Sequence, residues 1–470
     1  MSEDLVKEPG LPKEILTAAW AIALGAIAPM LDSTMVNIAI DQLMKDFSTS
    51  LNIIQWSITG YVLALAMAVP VSGWLMNQFN GKKIFVGAVI AFGVISVFAG
   101  ISWDISSFIF FRLLQGFSAG IITPLMSTLL VKTAGPENLG KVMAIVSTPM
   151  IFGPILGPVI GGFIVQGASW HWIFFINIFI ILIAAPLMMK TIPDFEPFNK
   201  DSKLDVFGMI ALSLMSAALI YGITKAADHS SFNNSETSLW VGIGLVLAVM
   251  YLGYNRFRKN QTVLPMNLFA HMSFLASSIG LFLANMAIMG PMLLLPLFFQ
   301  AFRHFTAIQA ALALIPQGVG MLITRPMIGK MIDTIGAKYV VMVSLILSLI
   351  GSIPLIFITD QTSMTWISIV LFIRGTSFGG IMLPLTADAY TGLDSKQLPE
   401  AGVGITIIEN LGSSFGSAVI ATVAAIVIQG LQPTISNSLE GYHAGFLASA
   451  IFLAAIFIPS LFLTHKTNAK

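Results

Sequence analysis

Long apolar runs recur along the whole chain, and they limit its fold more than any other feature. A helix needs about 20 predominantly apolar residues to cross a bilayer, and about fourteen weakly charged runs of that length can be counted. The predicted spans are 16–39, 54–76, 84–103, 106–131, 142–166, 173–189, 206–224, 239–256, 274–299, 306–331, 339–359, 364–390, 403–428 and 442–464. The period-two alternation of membrane β-barrels is absent. We therefore predict an all-α polytopic membrane protein with short loops and no soluble domain.

The composition agrees with this class and excludes several functions. Only 10% of the 470 residues are charged, against about 25% in soluble domains. With 23 basic and 22 acidic residues, the chain has no net field to attract nucleic acid, which is not expected as a partner. It has no cysteine, which excludes disulfides, thiolate metal sites and a cysteine nucleophile.

Basic residues in the predicted loops fall mostly on one side of the spans. The exceptions are Lys45, Lys225 and Arg303. Because Lys and Arg are enriched in cytoplasmic loops, both termini are predicted to be cytoplasmic. The first residues mix acids with lysines and lack the pattern of a signal peptide, so the first apolar run is expected to stay in the mature protein.

Two similar turns follow the second and the tenth predicted span. Their sequences are GWLMNQFNGKK at 73–83 and GKMIDTIGAK at 329–338. In each, a glycine near the helix end is followed by an amide or acid (Asn77, Asp333), then by a Gly or Asn suited to positive φ, and by lysine. Lysine-rich turns are common on the cytoplasmic side, but two copies at matching places indicate an internal repeat of six helices.

The repeat predicts how the chain is divided. The predicted segments are a cytoplasmic N-terminal segment (1–14), a six-helix bundle (15–190), a linker with an inserted helix pair (191–260), a second six-helix bundle (261–464) and a cytoplasmic tail (465–470). In transporters with parallel repeats, the substrate site lies between the halves near the midplane of the bilayer.

Few ionisable residues lie inside the predicted spans. Each costs at least about 2.5–3.5 kcal/mol at a helix centre, so such residues usually mark an ion or substrate path. They are Asp32, Arg112, Arg374 and Glu409, with Arg325 and Asp388 nearer the cytoplasmic ends.

Asp32 and Arg112 are expected at the same depth, roughly 10 Å from the outer ends of their spans at 1.5 Å per residue. They are predicted to be neighbours across the central cavity. The alternative is a static ion pair that locks two helices. Arg112, Gln115, Gly116 and Ala119 share one face of small and polar groups, which favours the functional interpretation. Moving Arg112 away or bringing in a cation would switch the protonation of Asp32.

A second carboxylate, Glu409, is expected about 10 Å inside the cytoplasmic end of span thirteen. It shares a helix face with Gly412, Ser413 and Gly416. The alternative is a side chain that extends to the inner interface. If the face lines a cavity, Glu409 would bind a cation or a proton.

Span five carries glycines and prolines in register. Gly153, Gly157 and Gly161 recur every four residues, and Pro154 and Pro158 follow the first two glycines. The glycines predict a groove for another helix backbone, and the prolines remove hydrogen bonds and bend the helix.

These segments resemble the fourteen-span drug:proton antiporters of the major facilitator superfamily, the EmrB/QacA-type multidrug efflux proteins. The matching segments are 31–39 in span one, Gln55-Trp56 with Tyr61 in span two, the gating loop 73–83, 112–116 in span four, 153–162 in span five, 170–177 in span six and the inserted pair. The resemblance implies a major facilitator fold in a bacterial cytoplasmic membrane. It covers nearly the whole chain.

Together with the charges discussed above, the resemblance implies roles for individual residues. The residues expected to couple protons are Asp32, Arg112 and Glu409. The residues expected to bind substrate are Asp32, Asn37, Gln55, Tyr61, Gln115 and Glu409. The residues expected in the gating loops are Gly73, Asn77, Gly81, Lys82, Gly329, Asp333 and Gly336. The residues expected in the antiporter helix motif are Gly153, Pro154, Gly157, Pro158 and Gly161.

The sequence departs from the family pattern at four positions. Asp41 and Phe179 stand where prolines are usual, and Asn77 and Asn80 stand where an acid and a glycine are usual. An amide can bond to a neighbouring helix end but cannot offer it a full charge, so the gate of the first half is expected to be weaker or differently timed.

The leading hypothesis is proton-coupled efflux of lipophilic drugs or other small molecules, with cationic ones as the expected class, by alternating access. A lipid or glycolipid flippase on the same fold is the alternative, and a membrane-embedded enzyme is a remote one, since no His-Glu-x-x-His or Walker motif is present. Without a nucleotide-binding loop, an ion gradient must drive transport, so H⁺ is the expected coupling ion and no cofactor or metal is expected. We expect the protein to function as a monomer in the bilayer.

Overall fold

The computed structural model describes residues 12–135, 138–139, 141–142, 157, 160–165, 167–200, 204–259, 261–429 and 435–465. Within these ranges the chain is helical and contains no β-strand. The first helices are α1 (Lys13–Asp46), α2 (Leu51–Ile54), α3 (Trp56–Gln78), α4 (Gly81–Gly100), α5 (Ile105–Ala134) and α6 (His171–Thr191). They are followed by α7 (Val206–Asp228) and α8 (Ser235–Phe257). The last helices are α9 (Met272–Arg303), α10 (Ala307–Leu312), α11 (Ile315–Ile335), α12 (Ala337–Ser352), α13 (Met364–Ala389), α14 (Leu398–Gln429), α15 (Ile435–Ala455) and α16 (Phe457–Ser460).

Residues with short polar side chains cap the N-termini of several helices. A carboxylate oxygen of Asp104 accepts the backbone N–H of Ser107 at 2.7 Å, and Asn80 accepts that of Lys83 at 3.1 Å. These bonds satisfy N–H groups that have no partner within the helix. The bond from Ser107 also holds the pKa of Asp104 below its usual value.

The helices before residue 200 pack into one bundle. Helix α3 lies against α5, α4 lies against α5 and α6, and α1 contacts both α5 and α6. Apolar side chains such as Phe85, Phe92 and Leu129 are fully buried in its core. These side chains pack densely around the few polar groups in the core of the bundle.

The helices after residue 270 form a second set of contacts, with α13 against α11 and α12, and α14 against α9 and α15. Helices α7 and α8 pack against each other, and α7 also contacts α3 and α14. Ser213 of α7 donates a hydrogen bond to the carbonyl of Met67 on α3 at 2.7 Å. The inserted pair is thus attached to both sets of helices through α7.

Two helix pairs, α3/α5 and α11/α13, approach each other in the same way. A Cβ atom added to Gly116 of α5 would lie 2.2 Å from the carbonyl oxygen of Tyr61 on α3. A Cβ added to Gly375 of α13 would lie 2.0 Å from the carbonyl oxygen of Gln317 on α11. Since neither position has room for a side chain, glycine sets the close crossing in both pairs.

Thirteen helices of the described ranges are long and apolar enough to cross a membrane. The prediction of an all-α polytopic membrane protein is confirmed. The predicted span 142–166 lies mostly outside the described residues, so the count of fourteen stays a prediction, as do the cytoplasmic termini and the domain limits. Several boundaries differ from the prediction. Helix α1 continues to Asp46 beyond the predicted 39, α14 begins at Leu398 before the predicted 403, and α15 begins at Ile435 before the predicted 442. The tenth predicted span, 306–331, is divided into α10 and α11.

Candidate functional site

The buried polar groups of the first bundle meet around an ion pair between α1 and α5. Arg112 of α5 donates a hydrogen bond through Nη1 to a carboxylate oxygen of Asp32 on α1. The side chain of Asp32 is 0% exposed and that of Arg112 is 1% exposed. The sequence predicted that these residues are neighbours, and the structure brings them into direct contact. The apolar span ends at Ile40, about 12 Å along the axis from Asp32, close to the predicted 10 Å, and α1 itself continues to Asp46, about 21 Å from Asp32.

Three further side chains complete the hydrogen bonds of this ion pair. Asn177 of α6 donates to the second oxygen of Asp32 at 3.1 Å, and Gln115 accepts from Arg112 Nη1 at 2.9 Å. Ser96 of α4 accepts from Gln115 at 2.7 Å and from Asn177 at 3.3 Å. We call these five residues the α1/α5 network. It connects four helices through polar groups that are all buried.

Two groups of α3 close the network from the side. The guanidinium carbon of Arg112 lies 4.3 Å from the centre of the Tyr61 ring, and its Nε donates to the carbonyl of Ser57 at 3.2 Å. A cation over an aromatic face is attracted to its π electrons, more strongly when both are desolvated. Tyr61 itself donates to the carbonyl of Pro29 on α1 at 3.4 Å.

The arrangement lets the charge on Asp32 determine the position of Arg112. While Asp32 is ionised, it is the one acid among the described residues that pairs with the guanidinium. A proton on Asp32 would remove that attraction and leave Arg112 with an amide oxygen, a carbonyl and an aromatic face. A single protonation can therefore alter the contact between α1 and α5.

The α1 helix is also the neighbour of the span-five glycines that the structure describes. A Cβ added to Gly157 would lie 1.9 Å from Thr34 Oγ1, and one added to Gly161 would lie 3.3 Å from Met35 Cα. These two residues thus face α1 closely, as a groove for another backbone requires. Gly153, Pro154 and Pro158 lie outside the described residues.

Glu409 lies on α14 outside the α1/α5 network. It is about 16 Å along the axis from Leu398, deeper than predicted because α14 begins earlier. Its carboxylate is half-buried and forms no hydrogen bond or ion pair with the residues that the structure describes. It is therefore an uncompensated acid within a membrane-spanning helix.

The small residues that follow Glu409 contact α9. A Cβ on Gly412 would lie 2.6 Å from the carbonyl oxygen of Phe282, and one on Gly416 would lie 2.4 Å from Met286 Cα. Ser413 donates to the amide oxygen of Asn285 at 3.0 Å. This face packs against another helix, so it does not line an open cavity at these positions.

Two more of the predicted substrate residues do not join the network. Asn37 of α1 and Gln55 before α3 are exposed, and neither side chain bonds to a described residue of the site. Tyr61 and Gln115 are buried within it. The structure thus separates two exposed candidates from a closed polar cluster.

The second bundle buries two arginines that have no acidic partner within the described ranges. Arg374 of α13 donates to Ser352 and to Gln317, each at 3.2 Å, and its Nη2 has no hydrogen-bond partner. Arg325 of α11 is 6% exposed, and its Nε and Nη1 have no partner. Burial of unpaired guanidinium groups is costly, so the two halves differ in how they balance charge.

Both predicted gating loops face the start of α14, on a side of the molecule that we call the gating-loop side. Gly336 has a φ of +83°, the region that favours glycine, whereas Asn80 has a φ of −62° and caps α4. The expectation of positive φ is therefore wrong for Asn80, because its side chain is used as a helix cap. Buried Gly73, Gly81 and Gly329 lie at helix contacts or helix ends, and Lys82 Nζ lies 3.9 Å from Asp194, an exposed contact of little energy.

Each gating loop contacts the other half of the molecule. Asn77 donates to a carboxylate oxygen of Glu400 on α14 at 3.1 Å. Asp333 accepts the backbone N–H of Lys141 at 3.1 Å. Both predicted positions therefore lie at contacts between the halves.

Sequence reasoning missed three of the residues that the structure brings into polar contacts. Asn177 had a signal as a lone amide in an apolar run, but Ser96 had none, since serine is common in membrane helices. Glu400 was overlooked because it lies at a helix start near the predicted interface, where acids are ordinary. In the part of the chain that the structure describes, no group of His, Asp and Glu residues is placed to hold a metal ion.

Comparison with known proteins identifies the family of this fold. Residues 22–418 match the family model described as Major Facilitator Superfamily. The chain is 29% identical over 407 residues to the Multidrug resistance protein B homolog of Mycobacterium tuberculosis, covering 86% of this chain and 75% of that protein. It is 27% identical over 413 residues to the Multidrug export protein EmrB of Escherichia coli K12, covering 87% and 80%. It is 28% identical over 454 residues to the Probable transport protein HsrA of Haemophilus influenzae, covering 95% and 96%.

Solved structures agree with this assignment at the level of the fold. The human organic anion transporter MFSD10 superposes with a TM-score of 0.65 at 13% identity, covering 96% of this chain and 100% of that one. The proton:xylose symporter XylE superposes with a TM-score of 0.64 at 14% identity, covering 95% and 96%. The chain is a multi-pass membrane transporter, not an enzyme, and it belongs to the Major Facilitator Superfamily.

Proposed function

We propose that this transporter exports lipophilic small molecules, cationic drugs among them, in exchange for protons. The observation that carries the proposal is the buried ion pair between Asp32 and Arg112, which places a carboxylate that can exchange a proton between two helices. Two of the relatives compared above are named as multidrug resistance or export proteins, which supports export of drugs. A bacterial cytoplasmic membrane is the corresponding location, and a monomer contains all the residues invoked.

Asp32 is the proton-exchanging residue in this proposal. Its two oxygens accept from Arg112 and Asn177, and no part of the carboxylate is exposed in the state described here. Direct contact with substrate would need a rearrangement, whereas a proton needs only a transient path. A proton on Asp32 releases Arg112, and its loss restores the pair, so the packing of α1 against α5 follows the protonation cycle.

Glu409 is the residue that we assign to cation recognition. It is the half-buried acid without a described partner, and a cationic group would supply the missing counter-charge. A carboxylate in the membrane that lacks a counter-charge is costly, so binding of a cation is favoured there. Separate acids for the proton and the substrate allow exchange when the two sites are exposed in turn.

The test of exchange is transport by the purified protein in vesicles with an imposed pH gradient. Gradient-driven accumulation of a cationic dye should be lost in Asp32→Asn, since the amide keeps the shape but carries neither a proton nor a charge. Asp360→Asn, in an exposed loop, is the matched control and should transport normally. Dye accumulation by Asp32→Asn with the pH gradient as its only energy source would remove Asp32 from coupling.

The test of recognition uses a cationic and a neutral substrate of similar size. Glu409→Gln should reduce export of the cation far more than export of the neutral molecule, because only the cation loses its Coulomb attraction. Equal loss for both substrates would remove the recognition role and leave a general coupling role.

A further inference from the structure

The first turns of α14 pack against both α3 and α5 on the gating-loop side. A Cβ on Gly73 of α3 would lie 2.8 Å from Val403 Cγ2, and Thr128 of α5 donates to the carbonyl of Leu398 at 3.4 Å. A Cβ on Gly402 would lie 2.5 Å from Thr128 Oγ1. The halves of the molecule are therefore in close contact at this point, and the start of α14 must leave it when the side opens.

The polar centre of this contact is the pair of Asn77 and Glu400. Nδ2 of Asn77 donates to Oε1 of Glu400 at 3.1 Å. The other oxygen of each side chain, Oδ1 of Asn77 and Oε2 of Glu400, is buried and has no hydrogen-bond partner. If Glu400 is ionised, two buried acceptors face this contact and no donor is left for either of them.

The equivalent contact of the second gating loop has a different chemistry. There Asp333 accepts a backbone N–H, that of Lys141, as an anion readily does at a helix start. In the first loop the position equivalent to Asp333 is Asn77, and its neighbour is a second acid. An aspartate at 77 would place two carboxylates together, so the amide is the residue that fits against Glu400.

We propose that Glu400 takes up a proton when the gating-loop side closes and releases it when that side opens. A proton on Oε2 gives the carboxyl the one donor that Asn77 Oδ1 lacks, and the two side chains then share two hydrogen bonds. When the halves separate, the carboxylate faces water in the first turn of α14, where the helix dipole favours the anion. The proton comes from the water on that side and returns to it, so the pair controls the conformation and carries no net charge across the membrane.

No other charged group holds Glu400 in the closed state. Among the described residues, it forms no ion pair within 4.0 Å. The other ionisable residues of α3, α5 and α14 are Tyr61 on α3, Arg112 and Lys132 on α5, and Glu409 further along α14. Tyr390 follows α13, and Asp394 and Lys396 lie in the turn before α14. Asp394 and Lys396 are exposed, and Lys132 lies over the ring of Phe198.

The inference predicts how closure depends on pH. One proton is bound on closing, so the ratio of closed to open protein is highest at acidic pH. It falls as the pH rises, by at most about tenfold per pH unit for one proton. The inference depends on one part of the proposed function, namely that the gating-loop side closes and opens during alternating access.

The experiment measures closure directly in the full-length protein in nanodiscs. Spin labels on Lys83→Cys and Lys396→Cys, both exposed and in opposite halves, report the distance across the gating-loop side, and the chain has no native cysteine to remove. Pulsed electron spin resonance from pH 5 to pH 9 gives the closed and open populations. The parent protein should move from mostly closed to more open as the pH rises.

Two variants and a control test the assignment to Glu400. Glu400→Gln should stay closed with little pH response, because its amide both donates to and accepts from Asn77. Asn77→Asp should open more than the parent at neutral and alkaline pH, because a second carboxylate faces Glu400. Asp394→Asn, an exposed acid in the preceding turn, should respond to pH as the parent does.

A parent response that is flat, or one that persists unchanged in Glu400→Gln, would overturn the inference. If Glu400→Gln fails to fold, the pH response of Asn77→Asp tests the inference instead. Closed and open populations in Asn77→Asp that depend on pH as in the parent would overturn the role of Asn77 and Glu400. A flat response in a protein that still couples dye efflux to the pH gradient removes this role and leaves the proposed function standing. A normal pH response in a protein that does not couple dye efflux to the pH gradient removes the proposed function and leaves the role of Glu400 standing.

Discussion

Replacing Arg112 by glutamine should destabilise the protein mainly through the charge that it leaves behind. Asp32 would keep the hydrogen bond from Asn177 but lose the counter-charge of Arg112, the one cation paired with it in the described ranges, in a position with no exposure to water. Removing one partner of a buried ion pair costs about 3–5 kcal/mol, whereas replacing both partners is often close to neutral. The loss in Arg112→Gln should therefore be mostly recovered in the double variant that also carries Asp32→Asn.

The magnitude follows from what each side chain contacts. Arg112 bonds to Asp32, to Gln115 and to the carbonyl of Ser57, and it stacks on Tyr61. Glutamine can replace one of the neutral bonds, each worth about 0.5–1.5 kcal/mol, so most of the loss is the uncompensated carboxylate.

Unfolding by sodium dodecyl sulfate in mixed micelles, followed by the fluorescence of the 8 tryptophans, measures these differences. Asp360→Asn serves as the control for removal of an exposed acid. If the double variant loses the sum of the two single losses, the charges do not interact across this contact, and the ion pair does not hold α1 to α5.

Three further substitutions address coupling, packing and backbone geometry. Arg112→Lys should impair coupling of dye efflux to the pH gradient, because an ammonium group cannot reproduce the planar fork of hydrogen bonds, and full coupling would make the fork unnecessary. Gly157→Leu should leak protons or uncouple transport, measured as faster decay of the pH gradient, because a Cβ there would meet Thr34 Oγ1 at 1.9 Å, whereas Gly87→Ala, with no atom within 4 Å, should be neutral. Gly336→Val should lower the unfolding free energy by about 1–2 kcal/mol, since its φ is +83°, and an unchanged unfolding midpoint would contradict this.

The sequence was sufficient to predict the helical class and the partnership of Asp32 with Arg112. Apolar runs of membrane length are a local signal, and two charges at matching depth in a bilayer have few ways to be compensated except by each other. The contact of Asn77 with Glu400 could not be predicted in this way. It joins residues far apart in the chain, and the register between two halves of the molecule has no local signal in the sequence.

The depth of the acids was harder to predict than their presence. From hydropathy, the first span was predicted to end at 39 and the thirteenth to begin at 403. In the structure, α1 ends later, at Asp46, and α14 begins earlier, at Leu398. Apolar composition identifies the part of a helix that suits the hydrocarbon, whereas the helix itself ends where its backbone finds caps or turns. Depth along a helix therefore needs the structure even where the span is correctly recognised.

Charge is balanced differently in the two halves, and this difference limits where a charged substrate can bind. In the first bundle, Asp32 and Arg112 neutralise each other and their polar partners are buried, so these two residues offer no free charge to a substrate while the pair is intact. In the second, Glu409 has no described partner, and Arg374 has an Nη2 without one. In the proposed cycle, the group that exchanges protons and the group that binds the substrate are therefore carried by different bundles. Because alternating access moves one bundle against the other, the two groups need not touch for their occupancies to be coupled, and each has only to favour a different arrangement of the halves.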